Sequence, residues 1–183
     1  MANVYFSSLP WTLVVSASPK SGQVLKAGKD HIMVTWALNR SFLAATDLAY
    51  EKVLVRLCYA PVSQADRGWR KTADDLKKDK TCQLSVALQP YQRSKSVVNY
   101  TVARDVPTAT YFVRVYALDS SGVKVAYGQT TDAQKTTNLF DVVGITGRHA
   151  SVDIAAACFS AASVLTLACF LVAEKRKKAN VRK

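Results

Sequence analysis

Twenty consecutive residues, Ile154 to Ala173, carry no charge and no helix breaker, and are bounded by Asp153 and Glu174. At about 1.5 Å per residue, a helix of this length covers the roughly 30 Å hydrocarbon layer of a bilayer. A helix in a soluble core is usually amphipathic, whereas this segment is apolar all round, so it is read as one transmembrane helix. The rest of the chain is then tied to a membrane surface.

The ten residues that follow, EKRKKANVRK, set Lys175, Arg176, Lys177, Lys178, Arg182 and Lys183 against Glu174 alone. Positive residues flanking a span stay on the cytoplasmic side. Residues 174–183 are therefore expected in the cytoplasm, and the 153 residues before the span outside the cell or in the secretory lumen, a type I arrangement. Such an arrangement calls for a cleavable signal peptide. The opening Met1-Ala2-Asn3-Val4-Tyr5-Phe6 has no charged segment leading into an apolar run of about 7 to 15 residues, so the sequence is read either as a mature form with a restored Met1 or as a gene product trimmed for expression.

The formal charge of +12 invites a nucleic-acid reading, but six of the 25 basic residues lie in the tail. Before it stand 19 basic and 12 acidic residues, a moderate excess that fits solubility or an acidic protein partner better than nucleic acid. Two sequons, Asn39-Arg40-Ser41 and Asn99-Tyr100-Thr101, fit the exported side and mark Asn39 and Asn99 as candidate glycosylation sites. Of the four cysteines, Cys158 and Cys169 fall inside the span. Cys58 and Cys82 are the candidate disulfide in an oxidising compartment, with two separate buried thiols as the alternative.

Alternation sets the fold class. His31 to Leu38 places Ile32, Val34, Trp36 and Leu38 on one face, and Tyr50 to Ala60 places Val53, Val55, Leu57 and Tyr59 on one face before Pro61 stops it. Further candidate strands are Trp11 to Ser16, Cys82 to Leu88, Val97 to Ala103, Tyr111 to Leu118 and Val123 to Gln129, the last two joined at Asp119-Ser120-Ser121-Gly122. Leu139 to Ile145 is an additional edge strand. Ser18 to Gly22 and Ala27 to Asp30 read as loops, and about seven short strands at this spacing predict a β-sandwich. Cys58 is out of phase with the apolar set of its strand, so its bond would tie a sheet edge or outer face to the following loop. That loop, Val62 to Thr81, is the most charged part of the domain and is expected to hold a helical turn around Thr72 to Leu76.

Strand-borne Trp36, the VLVRLCYAP strand and VPTATYFVRVYALDSSG together resemble an immunoglobulin or fibronectin type III-like sandwich. The resemblance implies that Tyr111 is a corner tyrosine whose hydroxyl bonds back to the upstream backbone, and that Trp36 is the core aromatic. It departs at the long charged loop.

No catalytic constellation can be assembled from the residues. The two histidines, His31 and His149, have no acidic or nucleophilic neighbour in a readable motif. Asp74-Asp75 diverge from each other and stand among lysines, which is the pattern of a charged surface and not of an acid–base pair. Gly144-Ile145-Thr146-Gly147 lacks the spacing of a phosphate loop, and no metal-ligand spacing occurs. A lone span offers no conduit. The chain is read as neither an enzyme nor, by itself, a transporter, and no cofactor is expected.

The motifs LCYAP (Leu57–Pro61), DRGWRK (Asp66–Lys71), DDLKKDKTC (Asp74–Cys82), RDVPTATYFVRVYALD (Arg104–Asp119), VAYGQ (Val125–Gln129), ITGRHAS (Ile145–Ser151) and VAEKRKK (Val172–Lys178) resemble the plant high-affinity nitrate transport accessory proteins. This resemblance implies a single-span partner of a twelve-span nitrate carrier of the major facilitator class, required for plasma-membrane delivery and for nitrate uptake. A cell-surface receptor or adhesion module is the competing class, and ten cytoplasmic residues are few for signalling. The expected layout is a sandwich over residues 1–143, a connector over 144–153, the span over 154–173 and the tail over 174–183.

Two partner contacts are expected. In the charged loop, Trp69 flanked by Arg67, Arg70 and Lys71 has the composition of an interface anchor, and Asp74, Asp75 and Asp79 add the opposite charge. Arg70 and Asp79 are the preferred ion-pairing residues. In the span, Ala155, Cys158, Ala162, Thr166, Cys169 and Ala173 fall within about 80° of one another at 100° per residue, a stripe of small side chains that suits close helix contact.

Overall fold

The computed structural model describes residues 3–43, 45–147 and 150–181, with side chains of the last helix up to residue 177. Met1, Ala2, His149, Arg182, Lys183 and the side chain of Lys178 lie outside the described residues. Two compact units are present, residues 1–145 and 146–183.

Alternating burial fixes the two layers of the first unit. On β3 (His31–Leu38) the buried residues are Ile32, Val34 and Trp36, and on β4 (Lys52–Tyr59) they include Val53, Val55 and Leu57; both sets belong to one core. β3 is flanked antiparallel by β1 (Leu13–Ala17) and β6 (Ser96–Thr101), giving a three-stranded sheet. The larger sheet is built from β2 (Val24–Lys26), β5 (Leu84–Pro90), β7 (Ala109–Leu118), β8 (Lys124–Gln129) and β9 (Phe140–Val143) together with β4. Its order is β2-β9-β7-β4-β5, with β8 also paired to β7. β9 takes Ala109–Tyr111 and β8 takes Arg114–Leu118, so the two share one edge of β7. The sandwich expected from the sequence is present.

Two expectations change. The strand near Leu139–Ile145 is interior, because β2 adds to β9 in parallel, Val24 to Lys26 opposite Asp141 to Val143. β2 itself was hidden: its three residues bury only Leu25, too little for a period to register.

Local chemistry agrees with the sheet. The Tyr111 hydroxyl donates to the Pro107 carbonyl at 2.7 Å, the corner bond expected of it. The β7–β8 turn closes with Gly122 at φ 77° and with Val123 N–H donating to the Asp119 carboxylate at 2.8 Å. Gly128 has a steric reason, since a Cβ there would overlap the carbonyl of Leu13 where β1 crosses β8.

β7 is buried on both faces from Tyr111 to Leu118. On its outer side Phe112, Tyr116 and Leu118 join Cys58 and Cys82 in a second apolar layer, covered by Phe6, Leu9, Tyr127 and Leu139. The Cys58–Cys82 disulfide therefore lies on the outer face of an interior strand, not at a sheet edge, and both cysteines are buried there. The segment before β1 is the lid: Phe6 N–H donates to the Asp74 carbonyl at 2.7 Å and Tyr127 N–H to the Pro10 carbonyl at 3.1 Å.

At the β3–β4 connection Asp47 is buried, and its carboxylate accepts from Arg93 Nε at 2.7 Å, Arg93 Nη2 at 2.8 Å and the Tyr91 hydroxyl at 2.9 Å. The Arg93 hydrogen bonds hold the carboxyl below its ordinary 3.8 against the opposing effect of burial, and the Tyr91 bond and the Arg93 charge act with them. The second unit is one helix, Ala150–Val181, in which Ala150–Lys177 is long and apolar enough to cross a membrane. Its apolar side chains are exposed all round, with Phe159 and Phe170 at 74% and 79%.

Two expected outcomes follow from these contacts. A carboxylate with a lowered folded pKa stabilises fully above its unfolded value and loses that contribution as pH falls through the folded one. Asp47→Asn should accordingly lower the thermal midpoint of the full chain by several degrees at neutral pH, with the gap to wild type closing below about pH 4. A gap independent of pH would show that the ionised carboxylate is not the stabilising form. Replacing both Cys58 and Cys82 by Ala opens a 24-residue separation and should cost about 3 kcal/mol in urea unfolding, whereas an unchanged midpoint would mean that the bond adds no net stability.

Candidate partner-docking surface

The charged segment between β4 and β5 is ordered by its own hydrogen bonds. Short 3-10 turns form at Pro61–Ser63 and Gly68–Arg70. The helical turn expected at Thr72–Leu76 does not form, because the backbone there is engaged by the N-terminal segment. Phe6 N–H takes the Asp74 carbonyl, Leu76 N–H donates to Val4, and Tyr5 pairs with Asp75 as an isolated bridge. The turn falls one step later, where Asp79 N–H and Lys78 N–H both donate to the Asp75 carbonyl, at 3.0 and 2.9 Å.

A polar chain runs beneath this backbone. Gln64 Nε2 donates to the Tyr59 carbonyl at 2.8 Å, the Thr72 hydroxyl donates to Gln64 Oε1 at 2.8 Å and meets the Thr81 hydroxyl at 2.7 Å. Thr81 in turn donates from both N–H and hydroxyl to Asp79 Oδ1, at 3.1 and 2.6 Å. Gln83 Nε2 holds the Trp69 carbonyl at 2.6 Å from the other side. Gln64, Thr72, Thr81 and Gln83 carry no sequence signal, since hydrogen-bond networks have no period.

The structure divides the expected contact residues into two sets. Arg70 is 7% exposed: its guanidinium lies 4.3 Å above the Tyr59 ring and Nη1 donates to the Ser63 carbonyl at 3.3 Å. Asp79 receives Ala73 N–H as well as Thr81. Asp74 accepts from Ser7 N–H at 2.7 Å and from its hydroxyl at 2.8 Å, and Asp75 accepts Lys77 N–H at 3.0 Å. These four groups are occupied in shaping the loop, so the expected Arg70–Asp79 ion-pairing role meets a geometry in which both side chains point to partners of their own. Trp69, by contrast, is 65% exposed, and Arg67 and Lys71 are exposed beside it. Arg67 and Lys71 line an open hollow of about 420 Å³ together with Gln64, Ala65, Asp66 and Gly68. The surface that remains is aromatic and mainly basic, with Asp66 the one acid exposed on the hollow.

Of the two sequon asparagines, Asn99 is exposed on β6, and Asn39 is half-buried with its Oδ1 accepting Ser41 N–H at 3.0 Å. In the helix, Ala155, Cys158, Ala162, Thr166, Cys169 and Ala173 are all exposed, and both cysteines are free thiols. The Thr166 hydroxyl donates to the Ala162 and Ser163 carbonyls at 3.0 and 2.9 Å, so it presents a small methyl-bearing surface and not a free donor.

Sequence comparison covers both units. The chain is 55% identical over 176 residues to high-affinity nitrate transporter-activating protein 2.1 of Oryza sativa subsp. japonica, spanning 96% of this chain and 83% of that one. It is 53% identical over 156 residues to high-affinity nitrate transporter 3.1 of Arabidopsis thaliana, spanning 85% and 74%. Residues 6–147, from the Phe6 lid through both sheets to the end of the sandwich, match the model for the high-affinity nitrate transporter accessory, Ig-like domain. A sandwich with an ordered aromatic-basic surface, one apolar helix and these matches agree: the protein belongs to the high-affinity nitrate transporter accessory family and is not an enzyme.

Proposed function

We propose that this chain is the single-span subunit that binds a multispan high-affinity nitrate transporter of the major facilitator class and enables its delivery to the plasma membrane and its uptake activity. The sandwich lies outside the cell and residues 174–183 inside, following the positive flank of the span. The observation that carries the reading is the exposed Trp69, held on a loop closed by the Cys58–Cys82 bond and braced by the Gln64–Thr72–Thr81–Asp79 chain. An ordered Trp between cations is the usual make-up of a binding hot spot, and prior ordering lowers the entropy lost on docking. With Asp74 occupied by Ser7, Asp75 and Asp79 by backbone N–H groups of the loop, and Asp66 the acid left beside Arg67 and Lys71, the matching surface on the transporter is a mainly acidic one with an apolar recess.

The small-residue stripe of the span is the second contact. Lipid supplies no hydrophobic drive for helix association, so close approach through small side chains is the usual solution, and Val164, Leu167 and Leu171 are left to the acyl chains.

Trp69→Ala should weaken co-purification of the transporter with the full chain by roughly 30-fold in affinity, on a hot-spot loss of about 2 kcal/mol, with no change in thermal midpoint. Unchanged affinity would remove the loop as the contact. Arg70→Ala and Asp79→Ala should weaken docking too, but with a lowered midpoint, because they act through the loop's shape. For the span, Ala162→Leu with Thr166→Leu should reduce association, and Val164→Ala with Leu167→Ala should not; equal effects from the two pairs would refute a directional interface.

A further inference from the structure

A strand at a sheet edge presents unpaired N–H and C=O groups to any second chain, and folded proteins protect such edges by shortness, bulges, Pro, charge or a covering segment. Three edges of this sandwich are protected in these ways. β2 is three residues long. β5 passes over Val86 in its ladder with β4, where Val55 pairs with Ala87 and Arg56 with Ser85, and it ends in Pro90. β1 packs along β8, into which the residues before it lead: Thr12 N–H donates to the Tyr127 carbonyl at 3.1 Å, and Trp11 bridges to the same residue.

β6 has none of these devices. Its six residues, Ser96 to Thr101, pair among the described residues with β3 alone and in a register without a slip. Val97-Val98-Asn99-Tyr100-Thr101 is β-prone, uncharged and free of Pro and Gly, the composition of a strand that recruits further strands. Alternation packs Val98 and Tyr100 against the core and turns Val97, Asn99 and Thr101 outward, opposite Thr35, Met33 and His31. Val97 is 56% exposed and Met33 50%. The hydroxyls on this face are tied to their neighbours, Ser16 to Thr35 at 2.7 Å and Thr101 to His31 at 3.0 Å. Among the outward residues of β1, β3 and β6 there is no Lys, Arg, Asp or Glu. An open edge thus borders an uncharged, partly apolar face.

Asn99 stands exposed on that edge strand, directly across from Met33, and it opens the sequon Asn99-Tyr100-Thr101. The other sequon begins at Asn39 in the β3–β4 connection, off the β6 edge, with Asn39 half-buried.

We propose that Asn99 carries an N-linked oligosaccharide that shields the β6 edge and the uncharged face around it. The inference rests on the reading that the sandwich is exported, since the sugar donor, a lipid-linked oligosaccharyl diphosphate, is met in the secretory lumen. In the transfer, Asn99 Nδ2 bonds to the anomeric carbon of the sugar, the bond from that carbon to the diphosphate breaks, and one Nδ2 proton passes to a base of the transferase. Nothing is oxidised or reduced. A hydrated glycan rooted at Asn99 keeps a second copy from adding a strand to β6. It also withholds this face from the transporter, which leaves docking to the Trp69 loop, carried between β4 and β5 of the other sheet.

The full chain purified from plant cells in detergent, digested and treated with a peptide-N-glycosidase, should give peptides in which the residue 99 amide has become an acid by mass spectrometry. Asn99→Gln should remove one glycan-sized step from the mobility of the intact chain and shift it to dimers and larger species in light scattering. Asn39→Gln should leave the association state unchanged. Val97→Lys added to Asn99→Gln puts a charge on the same face and should restore the dispersed state, which separates an open edge from a folding defect. An unmodified amide at position 99, in a sandwich that sealed microsomes protect from added protease, would overturn the proposal and leave the topology standing. The same amide in a sandwich cut by that protease would overturn both. A glycan at Asn99 whose loss leaves the chain dispersed would overturn the shielding role.

Discussion

The stack formed by Arg70, Tyr59 and Tyr111 joins the charged loop of this domain to its core. Arg70 lies 4.3 Å above the Tyr59 ring, Tyr59 lies 5.2 Å from Tyr111, and the Tyr111 hydroxyl ends the column on the Pro107 carbonyl. Cation–π and aromatic contacts each contribute on the order of 1 kcal/mol, but here they share their middle member. The Tyr59 carbonyl also accepts Gln64, so the same residue anchors the polar chain that shapes the loop. A loop that would otherwise be a flexible run of charges thus takes its position from the core. Tyr111, deep in that core, has its phenol pushed well above its ordinary pKa by burial and by Tyr59, and it stays a hydrogen-bond donor at every physiological pH.

Burial of β7 on both sides explains how a small sandwich supports such a surface. One face of the sheet packs on β1, β3 and β6, while the other needs its own cover, which the Phe6–Leu9 segment and the disulfide supply. The cover is continuous with the docking loop through the Asp74 contacts to Phe6 and Ser7. Loop, lid and disulfide are one cooperative layer, so a substitution in any of them is felt at Trp69.

What the sequence made legible follows the same physics. Strands β3, β4 and β7 stood out because Ile32, Val34 and Trp36, or Val53, Val55 and Leu57, repeat every second residue, and the span stood out by length and uniformity. The out-of-phase position of Cys58 limited its bond to a sheet edge or an outer face, and the structure has it on an outer face. The second layer on that face was not legible, since Phe6 and Leu9 lie in a segment with no period and reach the sheet only through tertiary packing. β2 was too short to register. In the loop, the composition of DRGWRK pointed to Trp69, but no pattern tells an exposed arginine from one stacked on a tyrosine, which is why Arg67 and Arg70 looked alike and are not.

Charge is sorted by hydrogen-bonding ability more than by sequence position. Carboxylates accept, and this fold is rich in loop N–H groups without sheet partners: Asp30 takes Lys26 N–H, Asp74 takes Ser7, Asp75 takes Lys77, Asp79 takes Ala73 and Thr81, Asp119 takes Val123, and Asp132 takes Thr136. Asp132 is held at about 2 by the Thr136 hydroxyl and N–H. Lysine and arginine can only donate, and the carbonyls they could cap are mostly consumed by the sheets. Many carboxylates therefore organise turns, while the cations go to solvent, to aromatic rings as Arg70 and Arg114 do, or to the few open carbonyls as Arg56 and Arg70 do.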